Sequence, residues 1–163
     1  WVFGLEQLGF GVNKDTDHAA LGRNLANVAL WFGGVAQIFT ALCIYLFDVG
    51  VPPEIRVYLG TVFATYGLFW VVVAMHFYNP GDKKVYAHFF LGIFFMTALF
   101  SYKAILLGKI WPLATVLLLI NGLTILLPFT WYKQNAIITK LCGALNVAIG
   151  VCAVPILMHA LGL

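Results

Sequence analysis

Five stretches of this chain, at about residues 24–47, 57–79, 85–102, 110–132 and 141–163, contain no Asp, Glu, Lys or Arg. Each reaches the roughly 18 to 20 apolar residues that a helix needs to cross the hydrocarbon layer of a bilayer. Such a run crosses as a helix because every backbone polar group then pairs within its own segment. Together the five runs occupy about two thirds of the chain, which leaves no length for a catalytic domain outside the membrane. With 163 residues, 63% of them hydrophobic and only 9% charged, and a mean hydropathy of +0.97, a soluble enzyme is excluded. The expected fold is all-α, a polytopic transmembrane helix bundle of five full spans plus a partial first helix.

Residues 1–12 are mostly apolar but only about half a span long. They read as the remainder of a first membrane helix whose upstream half lies before Trp1, or as a short interfacial segment rich in Trp and Phe. A polar loop is expected over 13–23 and one membrane domain over 24–163, with no internal repeat. The connections are short and carry turn chemistry, at Asp48 to Glu54, Asn79-Pro80-Gly81-Asp82, Gly108-Lys109 and Lys133-Gln134-Asn135. Consecutive helices are therefore antiparallel neighbours. Phe77, Tyr78, Tyr86, Phe89, Phe90, Trp111, Trp131 and Tyr132 cluster near these ends as interfacial belts.

Nine Lys and Arg stand against six Asp and Glu, a formal net charge of +3. The positives fall in the connections as membrane-edge anchors rather than on an exposed stripe, so nucleic acid is not an expected partner and the lipid bilayer is. Lys14, Arg23, Lys83, Lys84, Lys133 and Lys140 fall on one side, and Arg56, Lys103 and Lys109 on the other. By the positive-inside tendency, residues 13–23 are cytoplasmic. Cys43, Cys142 and Cys152 lie in apolar runs without a paired spacing, so no disulfide frame or zinc knuckle is expected.

No Asp or Glu lies inside a span, so a proton relay of the kind pumps use is not apparent. His76, His88 and His159 make no matched pair for haem, no cofactor is expected, and Asp15, Asp17 and His18 read as solvated surface rather than a metal site. No elbow motif or paired base suggests a hydrolase. What the spans do carry is uncharged polar residues: Asn27, Gln37 and Thr40; Thr61 and Thr65; Thr97 and Ser101; Asn121 and Thr124; Asn146. Thr61 and Thr65, Asn121 and Thr124, and the set Gly143, Asn146 and Gly150 each share one helical face. Such stripes can hydrogen-bond a passing solute. Alternatively they bond neighbouring helices, while Gly33, Gly34, Gly67, Gly143 and Gly150 let backbones approach.

Two of these stretches resemble a known family. Trp31-Phe-Gly-Gly-Val-Ala-Gln-Ile-Phe39 is similar to the F-Y-G-G-x-x-Q segment on the second helix of the acetate uptake transporter family, the YaaH/SatP-type acetate and succinate channels. Thr61-Val-Phe-Ala-Thr-Tyr-Gly-Leu-Phe-Trp70 resembles its T-x-F-x-S-Y-G-x-F-W on the third helix. Phe94-Phe-Met, Gly122-Leu-Thr-Ile-Leu126 and Cys142-Gly-Ala-Leu-Asn-Val-Ala-Ile-Gly150 are similar to parts of the later helices, so the likeness covers roughly residues 28–160. It implies a six-helix protomer in a ring-shaped homo-oligomer, usually a hexamer, with a solute path through each protomer. It also implies a hydrophobic constriction containing Tyr66 and Leu123, with Gln37, Thr61 and Thr65 near the path. A Tyr ring and a Leu side chain narrow a pore by dewetting while the phenol can still hydrogen-bond a carboxylate or carboxylic acid. Two features depart from the family. Its N-P-x-P-L-G signature before the first helix is absent, and Ile44-Tyr-Leu-Phe-Asp48 replaces its charged residues after the second. Its topology also puts the segment before the second helix outside, opposite to the charge count.

The expected function is a channel or facilitator for small monocarboxylates such as acetate in a plasma or inner membrane, with no enzymatic activity. The rival expectations are an accessory subunit bound to other membrane subunits, and a channel for ammonium, urea or amides.

Overall fold

A computed structural model of the protein describes residues 1–47, 49–133 and 135–160. Asp48 and Gln134, both in expected connections, and residues 161–163, at the end of the expected last span, lie outside the described residues, as does the side chain of His159. Among the described residues there are no strands and six helices: α1 (Val2–Gln7), α2 (His18–Leu46), α3 (Pro53–Tyr78), α4 (Lys83–Leu106), α5 (Ile110–Tyr132) and α6 (Ala136–Ala160). Helices α2 to α6 are long and apolar enough to cross a membrane, which makes this a multi-pass α-helical membrane protein.

Local chemistry sets the helix ends. The Asp17 carboxylate accepts the amides of Ala19 and Ala20 at 2.9 and 3.0 Å, so α2 starts at His18, inside the stretch expected as a polar loop over 13–23. Pro53 opens α3, where its missing N–H costs nothing. Asp82 caps α4 through the Lys84 amide at 2.8 Å, and Asn135 caps α6 through the amides of Ile137 and Ile138 at 3.0 and 3.2 Å. Helix α4 stops at Gly108, whose φ of +69° is a left-handed conformation that closes the last turn.

Two spans contain irregular turns. From Ala29 to Val35, across the Trp31-Phe-Gly-Gly run, α2 widens into π-helical turns, with the Ala36 amide donating to the Trp31 carbonyl five residues back. Trp111 is extended (φ −110°, ψ 134°) inside the first turn of α5, the conformation that a following proline, here Pro112, enforces.

The chain divides into two compact units. Asp15–Gly81 holds α2 and α3 packed along each other as an antiparallel hairpin. Trp1–Lys14 together with Asp82–Leu163 holds the other four helices, with α4 packed on α5, α5 on α6, and α1 on α6. The division at Gly81 falls within the single domain expected over 24–163. Small residues make the tight contacts in both units: Ala26, Ala74, Ala87, Ala104 and Ala114 are fully buried. The opposite faces are apolar and open, with Phe32 76% and Phe95 67% exposed, as lipid-facing surfaces are.

Candidate functional site

In the hairpin unit the two helices cross at glycines. A Cβ on Gly67 would stand 2.7 Å from Ile38 Cγ1, 3.0 Å from the Ile38 amide nitrogen and 3.1 Å from the Gly34 carbonyl oxygen. A Cβ on Gly34 would meet the Val71 side chain at 2.8 Å, and one on Gly33 would run into the Trp70 ring. With no side chain at these positions the backbones come together, and the residues flanking the crossing are held at fixed depth. Gln37 lies one turn beyond Gly34, half-buried, with its Oε1 enclosed and accepting no hydrogen bond from the protein. Tyr66 precedes Gly67 and is 8% exposed. Thr65 is half-buried beside it. Tyr66 is the fourteenth residue of the 26 in α3, which is the middle of the span.

Thr61 has a different environment. Its hydroxyl donates back to the Val57 carbonyl at 2.8 Å and pairs with the Tyr45 hydroxyl of α2, also at 2.8 Å. The Tyr45 ring lies where a Cβ on Gly60 would stand, at 2.7 Å, so a missing side chain at one position makes room for the interhelical bond at the next. A second such bond joins the Tyr78 hydroxyl to Asn27 Oδ1 at 2.6 Å.

In the larger unit, α4 and α5 share a polar cluster within an apolar interface. Ser101 donates to the Thr97 carbonyl at 2.8 Å, and Asn121 Nδ2 reaches Ser101 Oγ at 3.4 Å. Thr124 turns its hydroxyl onto the Ile120 and Asn121 carbonyls at 2.9 and 3.2 Å. Thr97, Ser101 and Thr124 are all buried. The Ser101 proton is directed at Thr97, so Ser101 accepts from Asn121, which orients the amide and leaves Asn121 Oδ1 buried without a hydrogen-bond partner. Asn121 is the middle residue of α5, and Leu123, 8% exposed, follows two positions later.

Asn146 belongs to another contact. Its Nδ2 donates to Gln7 Oε1 of α1 at 2.9 Å, beside a crossing where a Cβ on Gly4 would meet the Gly143 carbonyl oxygen at 2.7 Å. Gly150 faces Trp1 in the same packing. Of the residues singled out by sequence, Gln37, Thr61, Thr65 and Tyr66 thus belong to the hairpin, and Asn121, Leu123 and Asn146 to the larger unit. Asp17, weighed with Asp15 and His18 as a metal donor, uses its carboxylate as the α2 cap.

Sequence reasoning missed the partners Tyr45 and Gln7. Gln7 was findable as the lone amide in an apolar segment, whereas nothing in the sequence marks Tyr45 as facing Thr61. Comparison with protein-family models, with curated proteins and with solved structures finds no match to this chain.

Proposed function

We propose that this multi-pass membrane protein is a channel or facilitator for small monocarboxylates such as acetate, in a plasma or inner membrane and as a homo-oligomer. The observation that carries the reading is the mid-span polarity. A carboxamide oxygen with no protein partner lies at the centre of α5, another lies in α2, and both belong to spans without a carboxylate. Lipid cannot satisfy such acceptors, while water, or a small solute that brings a donor such as the protonated form of a carboxylic acid, can. In the hairpin unit, buried Tyr66 offers an apolar ring and a hydrogen-bonding phenol near the middle of α3, and in the larger unit buried Leu123 offers an apolar side chain near the middle of α5. The resemblance to the acetate uptake transporters supports the same assignment. No covalent chemistry is involved.

The test is flux of labelled acetate into proteoliposomes at neutral pH, against protein-free vesicles. Widening a dewetted constriction lowers its barrier, so Tyr66→Ala or Leu123→Ala raises facilitated flux about twofold or more. Unchanged flux in well-inserted variants removes the gate assignments, and wild-type flux equal to that of empty vesicles removes the function. A second reading, an accessory subunit bound to other membrane proteins, draws support from Thr61 and Asn146, whose side chains are engaged in helix-to-helix bonds. Gentle purification separates the two, since a homo-oligomer supports the channel and retained foreign subunits support the accessory role.

A further inference from the structure

The larger unit gathers charge at one end. There α4 begins, α5 finishes and α6 begins, bringing Lys83 and Lys84, Lys133, and Lys140 to a single rim. All four lysines are exposed, as is His88 one turn into α4. Within residues 79–90 and 129–142, Asp82 is the only acidic residue, and Glu6, on the α1 helix that packs on α6, is the other carboxylate of this unit, so the lysines outnumber the carboxylates. The Asp82 carboxylate already caps α4.

Aromatic rings hold this rim together. Trp131 meets Tyr86 edge-on at 5.8 Å and Phe90 at 5.0 Å, and Tyr132 lies 5.7 Å from the His88 ring. These contacts tie the start of α4 to the end of α5, which places Lys83, Lys84 and Lys133 at the same end of the unit. Helix α6, which carries Lys140, begins at Ala136, three residues after Lys133. Trp and Tyr rings sit at the level of lipid headgroups, which sets the lysines at the depth of the phosphates.

We propose that this rim is a docking site for anionic phospholipid, holding the phosphodiester headgroup between the lysines of the three helix ends, with the aromatic wall against the glycerol and upper acyl region. Charge complementarity selects the lipid. A zwitterionic headgroup carries its own cation and gains little from four ammonium groups, whereas phosphatidylglycerol brings a net negative charge. At the starts of α4 and α6 the amides of Lys84, Ile137 and Ile138, which an anion could otherwise use, are taken by the Asp82 and Asn135 side chains. Binding therefore depends on the lysine side chains and on salt.

The experiment uses the full chain in mild detergent micelles supplemented with phosphatidylglycerol, with phosphatidylcholine or with inorganic phosphate alone, reading lipid retention by native mass spectrometry and Tm. Phosphatidylglycerol is retained and raises Tm, and 0.5 M salt weakens both effects. The K83Q/K84Q/K133Q/K140Q variant loses affinity for it by roughly fivefold per lysine. The all-arginine counterpart at the same four positions keeps it, and K103Q/K109Q, which removes charge from the opposite end of α4 and from the α4–α5 connection, keeps it too. Equal retention of phosphatidylcholine, an equal shift with phosphate alone, full retention by the four-glutamine variant, or loss in K103Q/K109Q overturns the proposal.

Discussion

At Gly67 an added methyl group would press on the Ile38 amide and the Gly34 carbonyl, which cannot move without shifting a whole helix. At Gly34 it would press chiefly on Val71 Cγ2, a side-chain atom rather than backbone. Gly92, on the open face of α4, has nothing within 4 Å. Unfolding in detergent should rank the three accordingly: Gly67→Ala destabilising by about 1–3 kcal/mol, Gly34→Ala by less, and Gly92→Ala neutral or stabilising by up to about 1 kcal/mol. A reversed order of Gly67 and Gly92 contradicts the crossing. The Tyr45 to Thr61 bond is testable in the same way. A Tyr45→Phe and Thr61→Val double-mutant cycle should return a coupling of about 0.5–1.5 kcal/mol, the range of interhelical hydrogen bonds in lipid, and zero coupling contradicts the contact.

Among the elements, the five spans were legible because a long uncharged run has one way to cross lipid. Their ends were less so. The polar residues up to Arg23 made the first turn and a half of α2 read as loop, yet one carboxylate at Asp17 suffices to start the helix at His18. That carboxylate titrates below its ordinary value of 3.8, held there first by the Ala20 amide and then by that of Ala19. A depressed folded-state pKa means that the cap's contribution is complete above 3.8 and fades as pH falls through the lowered value. Hydrogen exchange should therefore show the amides of Ala19 and Ala20 losing protection on acidification below about pH 3.8, and Asp17→Ala should lack that protection at every pH. Persistence of protection in Asp17→Ala contradicts the cap. The π-helical turns of α2 could not be read from hydropathy, because apolar residues point all round that segment and leave no phase to detect. Of the candidate site, the polar residue types were visible along the chain. Which of them meet was not, because Asn121 finds Ser101 across 20 residues and Asn146 finds Gln7 across 139.

At the scale of the whole molecule, apolar helices with small residues at their crossings and large ones turned outward are what a bilayer selects. Against that background the uncharged polar groups near mid-span stand out. They cost free energy in lipid unless something meets them. The central claim is that water and solute reach them. It is tested most directly by single cysteines introduced in a chain with Cys43, Cys142 and Cys152 replaced by Ala, and challenged in membranes with a small charged thiol reagent. Thr65→Cys and Asn121→Cys should react about tenfold or more faster than the lipid-facing Leu68→Cys and Ile125→Cys, because only a hydrated thiol ionises and meets the reagent. Equal inertness at all four positions would mean that these polar groups lie in a closed helix interface, and would contradict the account.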